Sequence, residues 1–181
     1  VGSIRHPGPA SKIDILVKVD DAAVDAAVRS AAPEAVQNVL DQIDLQGNAD
    51  VTLRLTREPL LNQPIHLNFV AEVDRGSLQY REFPYRVSNL KGRVSYFSKT
   101  GITRFEQVTG KHGNASLSAN GSYARFANDG RLELSVTANN ASCDSNLRLA
   151  LPASLQELWG ELSPTGKIDL RTNIVWERGK P

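Results

Sequence analysis

Residues Pro64-Ile-His-Leu-Asn-Phe-Val-Ala-Glu-Val-Asp74 alternate between apolar and polar positions. Ile65, Leu67, Phe69, Ala71 and Val73 fall on one side, and His66, Asn68 and Glu72 on the other. Side chains of an extended backbone point to opposite faces with period two, so this stretch predicts a strand with one apolar and one wet face. Working outward, residues 76–80, 85–88, 90–97, 102–108 and 114–123 carry the same signal. Ser98-Lys-Thr-Gly101, Thr109-Gly-Lys-His-Gly113 and Asp129-Gly130 punctuate them as turns, and Phe83-Pro84 interrupts them once. One wet face combined with short turns requires antiparallel neighbours.

This meander is flanked by two similar segments. Residues 13–55 superpose without a gap on 132–174 at a constant spacing of 119. The identities are Val17/Val136, Ala22/Ala141, Asp25/Asp144, Arg29/Arg148, Ala31/Ala150, Pro33/Pro152, Gln37/Gln156, Gly47/Gly166 and Asp50/Asp169. Each copy reads as a strand (13–19; 132–138), a polar turn, a helix and a second strand (49–55; 167–176). Asp20, Asp21, Asn139 and Asn140 are the expected helix N-caps, because a short side-chain oxygen there satisfies a free backbone N–H. Pro33 and Pro152 suit a first helical position, where no N–H is needed. Val36, Val39, Leu40 and Ile43, matched by Leu155, Leu158, Trp159 and Leu162, form one apolar stripe at helical spacing. Recurrence of Asp50 as Asp169 points to a structural carboxylate that closes the turn after the glycine.

The expected fold is therefore α+β and β-dominated: an antiparallel meander sheet with short amphipathic helices on its apolar face, forming part of a tandem repeat. About nine or ten strands fit the chain. Residues 1–12, rich in Gly, Pro and Ser, read as a linker. Residues 13–55 form the first strand-helix-strand unit, 56–131 the meander, 132–176 the second unit and 177–181 a tail.

Composition narrows the function. The chain has 181 residues, a formal charge of +1, 40% apolar and 23% charged residues, and no methionine. That balance belongs to a globular protein and gives no basic surface for nucleic acid. No apolar run reaches the roughly 18 residues needed to span a bilayer as a helix. The absent methionine, read with the repeat, leads us to expect a piece of a longer chain, so that any export signal would lie upstream.

Catalytic signatures are not found. Cys143 is single and has no histidine near it in sequence, so the expectation is a small buried residue rather than a nucleophile. His6, His66 and His112 match no metal-ligand spacing, and the last two are expected at the surface. Gly110-Lys-His-Gly113 lies between two strands, which is a hairpin context and not a phosphate cradle. No enzyme activity, metal or cofactor is expected. Aromatic residues concentrate in the meander, among them Phe69, Tyr96, Phe105 and Tyr123, which are the candidate ligand-lining positions.

Two stretches carry a family resemblance. Phe83-Pro-Tyr-Arg-Val-Ser-Asn-Leu-Lys-Gly-Arg-Val-Ser-Tyr96 and Ile102-Thr-Arg-Phe-Glu-Gln-Val-Thr-Gly-Lys-His-Gly-Asn-Ala-Ser-Leu-Ser-Ala-Asn-Gly121 resemble the glycine-punctuated repeat of the AsmA-like proteins. This is a broad group of large bacterial envelope proteins that includes the TamB and YhdP types. Leu147-Arg-Leu-Ala-Leu-Pro152 through Leu162-Ser-Pro-Thr-Gly166 is similar to the proline-glycine phrase that follows such repeats. The resemblance covers roughly residues 83–170. It implies a non-enzymatic repeat module of a membrane-anchored envelope protein, periplasmic and held at the inner membrane, active in membrane biogenesis or lipid transfer. The implied partners are neighbouring repeats and acyl lipid, with membrane contact made only through the rest of the parent chain. A structural or protein-interaction spacer without a lipid is the alternative.

Overall fold

The alternation that begins at Pro64 becomes a single 15-residue strand, β4 (His66–Tyr80), rather than two short ones. It lies in the middle of a sheet seen in a computed structural model, which describes all residues except 6, 7, 9, 33–36, 38, 39, 61, 62, 82–84, 127, 128, 152 and 178–181. The strands are β1 (Gly2–Arg5), β2 (Lys12–Ala23), β3 (Ile43–Arg57), β4, β5 (Val87–Phe97), β6 (Ile102–His112), β7 (Ala115–Phe126), β8 (Asp129–Ser142) and β9 (Lys167–Glu177). Each pairs antiparallel with its sequence neighbours, in the order β1 to β9, and the sheet is not closed. Among the described residues, three short helices interrupt the meander: α1 (Ala26–Ala31) between β2 and β3, and α2 (Ser145–Ala150) and α3 (Ala153–Leu162) between β8 and β9.

Register places the apolar positions in continuous rows. One row runs Val17, Leu53, Phe69, Tyr96, Thr103, Tyr123, Leu132 and Trp176, each directly opposite the next. The row beside it runs Val19, Val51, Ala71, Val94, Phe105, Gly121, Leu134 and Ile174. A one-residue slip in any pair would exchange its apolar and charged sets, so the partial burial of this face and the charge pairs on the other both favour the register. The wet face carries a charge ladder instead. Glu72, Arg93 and Glu106 stand directly opposite one another across β4, β5 and β6, and Arg131 faces Glu177 across β8 and β9.

β-Bulges recur along the sheet, and several centre on polar residues with positive φ: Asp21 (54°), Asn89 (50°), Gln107 (51°) and Asn140 (59°). Asp and Asn tolerate this left-handed conformation better than most residues with a side chain. Each bulge leaves an unpaired N–H. Side chains on the neighbouring strand accept three of them: Asp50 Oδ1 from Asp21 at 2.8 Å, Asn120 Oδ1 from Gln107 at 2.7 Å and Asp169 Oδ1 from Asn140 at 2.7 Å.

The two flanking segments make the same contacts at positions 119 apart. Val24 N–H donates to Gly47 O at 2.9 Å, and Cys143 N–H to Gly166 O at 3.0 Å. Gln37 Nε2 donates to Ala32 O at 2.8 Å, and Gln156 Nε2 to Leu151 O at 2.7 Å. The β2–β3 register shifts between Val19 and Ala22, and the β8–β9 register between Ala138 and Ala141. One difference stands out: Ile43 opens β3, whereas its counterpart Leu162 still ends α3.

Several sequence expectations need correction. Residues 2–5 are not linker but an edge strand paired with β2, and Ser11 is buried. Asp20, Asp21, Asn139 and Asn140 do not cap helices, because β2 and β8 continue through them to the bulge. The acceptors at the helix starts are Asp25, which takes the N–H of Ala27 at 2.9 Å, and Asp144, which takes that of Leu147 at 3.0 Å. Residues 85–88 and 90–97 are not separate strands: the Asn89 bulge lets β5 run from Val87 to Phe97. Asp129 and Gly130 already belong to β8, opposite Phe126 and Arg125. Pro33, Val36, Val39, Pro152, Phe83, Pro84, His6 and the tail beyond Glu177 lie outside the described residues.

Candidate functional site

The four aromatic residues singled out from the sequence all stand on the apolar face. Phe69 is opposite Tyr96, and Tyr96 and Tyr123 flank Thr103 in the same row. Phe105 is in the adjacent row, opposite Val94 on one side and Gly121 on the other. A side chain on Gly121 would run into the backbone of Glu133 and the side chain of Leu134, so glycine there lets β7 lie close against β8.

The helical segments cover this face unevenly. Over the first unit, Ala32 and Leu40 bury Phe69 to 6% exposure, with Leu53, Ala71 and Tyr96 packed around them. Removing such a phenyl ring from water contributes roughly 1.5–3 kcal/mol. Over the second unit, Leu147 and Trp159 pack on Tyr85 and Leu117. Tyr85 stacks on His112 with ring centroids 3.7 Å apart, and burial pushes its phenol pKa up, with the charge of Asp144 adding to the shift. His112, expected at the surface, is therefore half-buried; its Nδ1 lies 2.7 Å from Arg86 O. Cys143 is likewise half-buried rather than buried.

Between and beyond these two patches, no second layer is seen on the face among the described residues. Tyr96, Phe105 and Tyr123 keep intermediate exposure, and Val17, Val19, Leu170, Ile174 and Trp176 are exposed. The molecule presents 11806 Å² to solvent, where a compact globule of its 19.7 kDa exposes about 8,600 Å². A single open sheet of nine strands is extended rather than compact, and both of its faces contribute to the exposed area.

Polar chemistry on this face is sparse. Thr103 is 1% exposed, and its Oγ1 has no hydrogen-bond partner among the described residues. The opposite face holds a shallow cleft lined by Asp21, Asn48, Asp50, Glu72, Asp74 and Arg75. Its acidic groups are engaged: Asp74 with Lys91 at 2.8 Å, Glu72 with Arg93 at 3.3 Å, and Asp50 with the Asp21 bulge. Among the described residues, no helix is long and apolar enough to cross a membrane.

The sequence reading missed Thr103 and the exposed row on β9. Thr103 gives no signal because threonine is common on either face of a strand. The β9 row was legible as the alternation Ile168, Leu170, Ile174 in a segment read only as the closing strand of the second unit.

No family model matches this chain, and neither the curated proteins nor the solved structures give a match. The functional reading therefore rests on the geometry of the sheet.

Proposed function

We propose that this chain is a non-enzymatic tandem-repeat module whose open apolar sheet face holds acyl chains, as part of a longer envelope protein that serves membrane biogenesis or lipid transfer. The observation that carries the proposal is the pair of apolar rows across eight strands, from Val17 to Trp176 with Thr103 as its one polar member and from Val19 to Ile174, which the helical segments cover only in part among the described residues. A large exposed apolar patch on a soluble fold marks a surface that meets another apolar body. An acyl chain fits such a face because it needs area and no hydrogen-bond partners, which is what Tyr96, Phe105 and Tyr123 offer.

Tandem repetition is supported by the contacts repeated at a spacing of 119, down to the bulge and its carboxylate acceptor. A module built this way joins its apolar face to that of the next repeat, since each unit buries its own face only by stacking with neighbours. The resemblance of residues 83–170 to the AsmA-like glycine pattern supports this reading, and the periplasmic, inner-membrane-anchored setting is proposed from that resemblance alone. The test is binding of a fluorescent fatty acid to the purified chain. Phe105→Asp is expected to reduce binding about tenfold or more, with the far-ultraviolet circular dichroism unchanged. Equal binding by Phe105→Asp would remove the face as the site.

A spacer role is the second reading, favoured by the exposed edge strand β9, which offers backbone groups to a neighbour.

A further inference from the structure

We infer that the free edge of β9 accepts one specific kind of partner: an antiparallel strand with the alternating pattern of His66–Val73, in the register that this segment uses against β3. The inference rests on the tandem-repeat reading proposed above and adds the identity and register of the strand. Three observations carry it.

First, β9 stands where β3 stands. Ile168–Val175 lie 119 residues beyond 49–56, and both strands hold the preceding strand in the same register after the same bulge. On its other edge β3 pairs with β4, placing Ala49 opposite Val73, Val51 opposite Ala71 and Leu53 opposite Phe69. The same edge of β9 has no partner among the described residues.

Second, β9 is unfinished on its apolar side. Leu170 and Trp176 are 49% and 47% exposed, while the counterpart of Leu170, Val51, is packed into the cluster around Phe69. Third, the helix beside it lacks the same cover. Leu162 is 68% exposed, whereas its counterpart Ile43 is packed into that cluster and pairs with Tyr80 of β4. A strand of the β4 type puts its apolar residues on the face that Leu170 occupies while its backbone completes the ladder, and its far end reaches toward the position that Tyr80 takes beside Ile43, the counterpart of Leu162.

The register makes the proposal testable. The chain is lengthened directly after Glu177 by its own residues 59–80, which preserves the spacing of 119 and holds the added strand at high local concentration. Cys143→Ala removes the native thiol. Leu170→Cys is then combined with a cysteine in place of Ala71, Val70 or Glu72 in the added segment only. The inferred register puts Leu170 directly opposite the added Ala71, as Val51 is opposite Ala71 in the chain itself. Disulfide formation in a glutathione buffer is expected to be about tenfold faster for position 71 than for 70 or 72, whose side chains project from the other face. It should also be intramolecular and lost when the added sequence is scrambled. Equal rates at the three positions, cross-linking by the scrambled segment, or cross-links only between molecules would overturn the inference. Pairing in a different register would do so while leaving the repeat reading standing. Failure of the fatty-acid test would leave the register result untouched.

Discussion

Asp169 accepts the backbone N–H of Asn140 through Oδ1 at 2.7 Å. Asn140 sits at φ 59° in a bulge of β8, and the carboxylate on β9 satisfies the amide that the bulge removes from the ladder. Asp50 does the same for Asp21 in the first unit. Asp169→Ala is expected to destabilise the fold by about 1 kcal/mol, and Asp169→Asn, which keeps an acceptor oxygen, by less than half of that. Urea unfolding of the two variants checks this; equal losses would mean that the charge, and not the hydrogen bond, is what matters.

Gln107 makes the same kind of bulge with a longer side chain, at φ 51°. Its side chain has no short local hydrogen bond of the Asn or Asp type to offset the left-handed backbone. Gln107→Gly is expected to raise stability by roughly 0.5–1 kcal/mol, since glycine adopts positive φ without a Cβ penalty. A lower urea midpoint would show that the side chain contributes packing that outweighs the relieved backbone.

Thr103 places a hydroxyl in the apolar row between Tyr96 and Tyr123, fully buried and without a partner among the described residues. Valine has the same shape and no group to desolvate. Thr103→Val is expected to stabilise by about 1 kcal/mol, seen as a higher unfolding midpoint with an unchanged denaturant slope. A loss of stability would mean that the hydroxyl is satisfied in solution.

The wet face sets the acid limit. Hydrogen bonds from Arg54, Arg86 and Lys91 hold the carboxyls of Asp14, Asp44 and Asp74 below their ordinary value of 3.8. A depressed folded pKa means that the unfolded chain binds protons more readily, so this stabilisation is present above the ordinary carboxylate range and is lost as pH falls through it. All three pairs are exposed, which keeps the effect small. The urea midpoint should fall below about pH 4, and the triple variant Asp14→Asn/Asp44→Asn/Asp74→Asn should flatten that fall. An equally steep fall in the variant would assign acid sensitivity to other carboxyls.

The fold was legible where one physical signal dominated. Strict alternation in 64–74 and in 102–108 yields β4 and β6, and Ser98–Gly101 is the turn between β5 and β6. Alternation broke down at the bulges, because an extra residue shifts the period by one and mimics a strand end. That is why β4 and β5 each read as two strands, and why Asp21 and Asn140 read as helix caps although Asp25 and Asp144 take that role. Phe69 was assigned to the apolar side because period two determines the face once the strand is known, and Tyr96, Phe105 and Tyr123 stand on that same side. How much of that face the helical segments cover was not legible, since Leu155, Leu158 and Trp159 share one stripe and only Trp159 packs onto the buried cluster of the second unit.

The central claim is that the apolar face holds acyl chains. Native mass spectrometry of the purified, unmodified chain tests it most directly. The account predicts adducts of about one or more lipid masses per chain that vanish on organic extraction, with the released species carrying acyl chains. A chain that stays folded and free of lipid, before and after incubation with phospholipid vesicles, would contradict it.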